Sequence, residues 1–200
     1  FGRYAGFTAL LPTMAGAAHR CVIPEHPFDI ERLTELLVYD RNRNPSRYAV
    51  VLVSEGARLA HQEDYMFESE EADQYGHRKL GGIGDHVATL LKELSPQYNN
   101  GRRIDVVNQR LGYLVRSGDP DALDSIVPMA FGNLALDLVL AGKSGLLVAI
   151  NEGRYGSVPL SIVTEHKKVV NVEEYYNIDR LRPKYETFQG RPLFIMTSER

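Results

Sequence analysis

Between residues 121 and 140 the chain is apolar almost all round, interrupted by Pro128, and this stretch constrains the fold more than any other. A helix with one polar side can lie on a surface, but a helix apolar on every side must be covered. This one is therefore expected at the centre of a core. Gly142 and Gly145 bracket its exit, and residues 145–150, Gly-Leu-Leu-Val-Ala-Ile, read as a strand buried on both faces. Segments of helical and strand period alternate along the rest of the chain. The pattern predicts an α/β fold in which a mostly parallel sheet is layered with helices.

Residues 4–17 are rich in Ala, Leu and Met and read as a helix kinked or ended by Pro12. Residues 19–23 read as a short strand stopped by Pro24, with Cys21 packed in it as a small apolar side chain. Asp29 can cap a helix over 30–41 whose Leu33, Leu36 and Leu37 share a face. Residues 48–53 read as a strand buried on both faces, and 58–79, acidic around Glu68 to Asp73, as a solvated polar loop. Gly81, Gly82 and Gly84 precede a helical pattern over 85–94. Such a turn can offer free N–H groups to a phosphate, or simply be tight. It has neither dinucleotide spacing nor the Lys-Ser/Thr of a P-loop. Residues 104–107 and 111–115 are β-like, as one bent strand or two. The last fifty residues, with Tyr155, Tyr175, Tyr176 and Tyr185 among Lys and Arg, read as peripheral helices packing back on the domain. The division expected is a domain over 1–163 and a tail over 164–200.

Composition excludes several classes. A net charge of −3 gives no bulk attraction to nucleic acid, so any anion affinity must be local. The single cysteine permits no intrachain disulfide and no cysteine-based zinc cage. The histidines at 19, 26, 61, 77, 86 and 166 show no i, i+4 ligand pair beside a carboxylate, and no metal site is expected within the chain. No apolar run approaches the roughly 18 residues of a membrane span, so no membrane contact is expected. No secretory signal is visible, which fits a reducing cytoplasm, although the sequence begins with Phe1 rather than Met.

Three places can carry chemistry. Arg116 ends an apolar segment and leads into the turn Gly118, Asp119, Pro120, where its planar fork of donors can meet a phosphate or carboxylate. Arg3 sits beside Gly2 at the mouth of the first helix, where backbone can approach a ligand and the helix terminus adds positive charge. An exposed structural arginine reads equally well there. Glu25 follows Pro24 at a strand end, the region where open α/β sheets bind ligands. A carboxylate in that position can select a polyol, or be an ordinary loop glutamate.

Taken in order, Phe1, Gly2 and Arg3, then Pro24 and Glu25, then Tyr113 and Arg116 resemble the phosphofructokinase family, and specifically the C-terminal half that holds the sugar phosphate. The resemblance spans most of residues 1–163. It implies that Phe1 and Gly2 line fructose 6-phosphate, that Arg3 neutralises phosphate charge as a catalytic residue, and that Glu25 accepts from sugar hydroxyls. Tyr113 and Arg116 would grip the 6-phosphate. Phe1 stands where the family has Met, and Tyr113 where it often has His; a phenol can donate to phosphate but cannot become cationic. Val107 occupies the place of a further family arginine, with Arg103 and Arg110 as nearby substitutes.

The activity implied is glycolytic transfer of a phosphoryl group from ATP or pyrophosphate to the 1-hydroxyl of fructose 6-phosphate. Magnesium, held mainly outside these residues, and a cytoplasmic homo-oligomer with the sugar pocket at a subunit interface are implied with it. The family's Gly-rich donor loop and Asp-rich catalytic motif are expected upstream of Phe1. Two other readings are a stand-alone sugar-phosphate-binding or regulatory module, and a structural half-domain that assembles with a separate chain.

Overall fold

A computed structural model describes residues 3–61, 67–72, 78–151, 153–165 and 167–185, with positions 67–72, 78–80 and 116 described by their backbone alone. The chain divides into two compact units, one built from residues up to 110 and from 168 onward, the other from 111–167.

The first unit centres on β1 (Arg20–Val22) and β2 (Val51–Val53), which pair in parallel with Cys21 opposite Leu52. Parallel strands need a crossover, and α2 (Ile30–Arg43) provides it. Asp29 caps α2 as its position predicts, its Oδ1 accepting from the Glu31 amide at 2.8 Å. One face of α2 buries Leu33 and Leu36 beside the half-buried Leu37. On the N-terminal side α1 (Phe7–Met14) packs on β1, carrying Pro12 within its last turn. The core gathers Leu10, Val22, Ile23, Phe28, Leu33 and Val87.

Cys21 lies wholly inside this core, and burial pushes its thiol up to about 12, so it packs as an apolar residue and is no nucleophile. Its backbone shows what the tail does. The Cys21 amide donates to the Leu181 carbonyl at 2.9 Å, and the Tyr176 hydroxyl donates to the Cys21 carbonyl at 2.7 Å. The free edge of β1 thus finds its partner in residues far along the chain. Val170, Tyr175, Tyr176 and Leu181 are core residues, and the segment is one helical turn, Val172–Tyr175, with two-residue strands Tyr176–Asn177 and Arg182–Pro183. Over 168–185 the tail expected as peripheral helices therefore has an exposed side and a side that enters the core.

Other expectations need correcting. The strand expected over 48–53 is confined to Val51–Val53 and is half-buried. Part of the loop expected over 58–79 is an antiparallel pair, β3 (Phe67–Ala72) and β4 (Arg78–Leu80), while 62–66 and 73–77 lie outside the described residues. Antiparallel pairs tolerate polar composition because a face can stay solvated. Residues 104–107 form no strand; the Ile104 amide donates instead to Ser95 Oγ, at 3.0 Å, near the end of α3 (Ile83–Tyr98). The glycine turn before α3 works conformationally, since Gly82 adopts φ +83° at the helix mouth.

In the second unit, Gly112–Arg116 is a short 3-10 helix, so the strand expected over 111–115 is replaced by a helical turn. It leads to α4 (Ala122–Leu140), whose N-terminus is a capping box: Asp121 accepts from the Asp124 amide at 2.9 Å, and Asp124 accepts from the Asp121 amide at 3.2 Å. After α4, β5 (Leu146–Asn151) and β6 (Arg154–Pro159) form an antiparallel hairpin in unbroken register from Leu146 opposite Pro159 to Asn151 opposite Arg154. Helix α4 packs on this hairpin, with Phe131 edge-on to Tyr155 at 6.0 Å between ring centroids.

Helix α4 was expected at the centre of a core, yet none of its residues is buried. Likewise β5, expected to be covered on both faces, pairs with β6 and leaves Leu147 and Ile150 exposed. Apolar composition states that a segment needs cover; it does not state which polypeptide supplies it. The helix has 19 residues at a mean hydropathy of 1.5, enough by length and composition to cross a membrane, which no run was expected to approach. The α/β expectation itself holds. Its parallel part is β1–β2 with a parallel bridge between Phe28 and Leu59, and the remaining described pairs are antiparallel.

Candidate functional site

Glu25 stands just beyond the carboxyl end of β1 and reaches back to the mouth of α1. Its Oε1 accepts from the amides of Gly6 and Val170, each at 2.9 Å, and its Oε2 accepts from Gly6 again at 3.1 Å. Helix α1 has no side-chain cap of its own at Gly6. The carboxylate therefore supplies both an acceptor and a favourable negative charge at that terminus. Each carboxylate oxygen has two lone-pair sites, so Oε2 keeps room for a further donor.

The turn that carries Arg3 is held by two close backbone approaches. A Cβ at Gly6 would stand 2.4 Å from Ile23 Cβ, and a Cβ at Gly56 would stand 1.7 Å from the Arg3 carbonyl oxygen. Only glycine at these two positions lets the Arg3 turn lie against the ends of β1 and of the loop after β2. The structure thus brings the Arg3 turn and Glu25 together through Gly6. Gly56 was missed by sequence reasoning; its signal is a glycine in the turn that ends a strand. Phe1 and Gly2 lie outside the described residues.

Tyr113 and Arg116 belong to the other unit. On a β-strand, residues three apart point to opposite faces, and the pair could not close on one phosphate. The structure has a 3-10 turn here in place of a strand. Gly112 opens the turn at φ +46°, and Tyr113 is exposed. The Arg116 side chain lies outside the description.

Val107 is 89% exposed and gives no cation where the family has one. Neither candidate substitute is idle. Arg110 Nη2 pairs with Asp85 Oδ2 at 2.5 Å, and Arg103 Nε donates to the Lys92 carbonyl at 3.3 Å. Asp85, at the start of α3, also accepts from Asn108 Nδ2 at 2.7 Å, and the bonds from Arg110 and Asn108 hold its carboxyl below the usual carboxylate range. For magnesium, which one or two carboxylates can hold beside substrate phosphates, no group of three His, Cys, Asp or Glu side chains gathers among the described residues, and no step is routed through the ion.

Comparison with known proteins gives this arrangement its family. The model of the family described as Phosphofructokinase matches residues 1–139. An ATP-dependent 6-phosphofructokinase of Mycobacterium bovis is 33% identical over 174 residues, covering 87% of this chain and 48% of that protein. A pyrophosphate–fructose 6-phosphate 1-phosphotransferase of Dictyoglomus thermophilum is 36% identical over 174 residues, covering 86% and 47%. In fold, the chain resembles the crystal structure of a pyrophosphate-dependent phosphofructokinase from Marinobacter aquaeolei, with a TM-score of 0.65 at 24% identity, over 92% of this chain and 43% of that one. The chain spans about half the length of the curated relatives it matches. With the family model covering well over half of its residues, the chain belongs to the phosphofructokinase family.

Proposed function

We propose that this chain is the acceptor-holding half of a 6-phosphofructokinase. The 1-hydroxyl oxygen of fructose 6-phosphate attacks the terminal phosphorus of the donor, its proton passes to a base, and ADP or phosphate leaves. The observation that carries the reading is Glu25, a carboxylate at a strand end that fastens the Arg3 turn while keeping acceptor capacity for a sugar hydroxyl. In this reading Phe1 and Gly2 line the sugar, Arg3 meets the charge of the transferring phosphoryl group, and Tyr113 with Arg116 holds the 6-phosphate. The relatives named for ATP and for pyrophosphate match at similar identity, 33% against 36%, and the donor is chosen by the half of the enzyme outside this chain. That half also supplies the base and the magnesium ligands. The enzyme works in the cytoplasm as a homo-oligomer.

The test is Arg116→Ala in an enzyme that joins this chain to its complementary half. Losing a charge-assisted phosphate contact costs about 1.5–3 kcal/mol, so KM for fructose 6-phosphate should rise by roughly 10- to 150-fold. KM for the donor should stay within about twofold. An unchanged sugar-phosphate KM removes Arg116 from the site.

Glu25→Gln separates positioning from recognition. The amide oxygen can keep the bonds to Gly6 and Val170 that Oε1 makes, so the fold should survive with a small loss in Tm. The amide nitrogen, however, puts a donor where Oε2 offered an acceptor. Discrimination between fructose 6-phosphate and sugar phosphates with altered hydroxyls should weaken. A variant with the parent's substrate ranking would leave Glu25 with its structural duty alone.

A further inference from the structure

The main chain of Arg3 rests on Gly56, and Gly56 is the firmer of the two. The Ser54 amide donates to the Val22 carbonyl at 3.1 Å, the Ala57 amide donates to the Ser54 carbonyl at 3.0 Å, and Ser54 and Ala57 are both buried. Gly56 is thus held between two buried residues at the end of the parallel strand pair. The turn opposite it is exposed at Arg3 and Tyr4, and its far end is fastened through Gly6 to Glu25. Of the two sides, the Arg3 turn is the one that yields.

The contact leaves no other way to yield. A Cβ at Gly84 would meet the side-chain amide of Asn108 at 3.0 Å, and the end of a side chain can swing away. A Cβ at Gly56 would have the Arg3 carbonyl oxygen at 1.7 Å, the Arg3 carbonyl carbon at 2.7 Å and the Arg3 Cα at 3.2 Å as its nearest atoms, all of them backbone. Carbon and carbonyl oxygen come to rest about 3.3 Å apart in a close contact, so a side chain here drives the turn back by about 1.5 Å. Gly56 is not among the glycines at positive φ, so alanine suits its own backbone and the penalty is the contact with Arg3.

We propose that Gly56 is a positioning residue: by lacking a side chain it sets where Arg3 stands against the transferring phosphoryl group. The inference rests on the role given to Arg3 in the proposed function, and deepens it by naming what holds that residue in place. A guanidinium stabilises developing charge only where its donors meet the phosphoryl oxygens, and a misplacement of about 1 Å can cost on the order of 100-fold in rate.

In the enzyme that joins this chain to its complementary half, Gly56→Ala should lower kcat by roughly 10- to 100-fold. KM for fructose 6-phosphate should stay within about threefold, and Tm within a few degrees of the parent. A structural role alone would not give the next result. Arg3→Ala should lower kcat at least as far, and adding Gly56→Ala to it should change kcat by less than about twofold, because the glycine acts through Arg3. Further loss on top of Arg3→Ala would overturn the proposal, as would an unchanged kcat in Gly56→Ala. A Gly56→Ala chain that no longer folds would overturn it too, since Gly56 would then serve the core. The two layers separate cleanly. A parent without turnover, or an Arg3→Ala variant with the parent's kcat, sinks the role of Arg3 and the proposal together. Loss in Arg3→Ala beside an unaffected Gly56→Ala sinks the proposal alone.

Discussion

Asp40→Ala is expected to destabilise the first unit by about 3–5 kcal/mol, a large share of the roughly 5–15 kcal/mol that holds a typical domain together. Arg20 opens β1 with its side chain only 6% exposed, and each nitrogen of its guanidinium makes a hydrogen bond. Nε and Nη2 meet the two Asp40 oxygens at 2.7 and 2.8 Å, and Nη1 donates to the Arg180 carbonyl at 2.5 Å. That fork ties β1 to α2 and to the tail at one point. Removing the carboxylate leaves a buried cation without its counter-charge, which costs far more than an exposed ion pair is worth. Replacing both partners together, Arg20→Met with Asp40→Leu, should recover most of the loss, because no charge is then stranded. Urea unfolding of the two variants decides it. A loss below about 1 kcal/mol in Asp40→Ala would mean that water reaches the guanidinium.

Local signals in this sequence were legible, and non-local ones were not. Asp29 announces α2, because a cap is written within four residues of the helix it serves. Cys21 reads as core from its apolar strand. The failures share a different cause. Leu111 to Val115 has strand composition, but Gly112 at φ +46° turns the segment into a 3-10 helix. The tail was read as peripheral because nothing within it reveals that Leu181 and Tyr176 bond to Cys21, more than 150 residues earlier. Glu25 shows both sides. Its place at a strand end was readable, whereas its grip on Gly6 and Val170 depends on three distant segments meeting. Helix α4 is the sharpest case, since its apolar pattern was read as a demand for cover, whereas none of its residues is buried.

The 200-residue chain by itself is expected to turn over neither ATP nor pyrophosphate with fructose 6-phosphate, even with magnesium. Phosphoryl transfer is mostly positioning and charge stabilisation of two reactants held in line, with a base for the attacking hydroxyl. In the proposed reading Arg3, Glu25, Tyr113 and Arg116 would hold and orient an acceptor. Orienting one reactant supplies neither the donor's position nor the base. Among the described residues no group of three His, Cys, Asp or Glu side chains gathers into a metal cage. The decisive measurement is a coupled assay on the purified chain, freed of host phosphofructokinase, run with each donor in turn. Turnover with either would place a base and a donor site inside these residues, and the acidic run from Glu68 to Asp73 would be the first place to look for them. Calorimetry on the same sample covers the remaining alternative. Tight binding of fructose 6-phosphate, with no turnover even after the complementary half is added, would make the chain a binding module instead of half an enzyme.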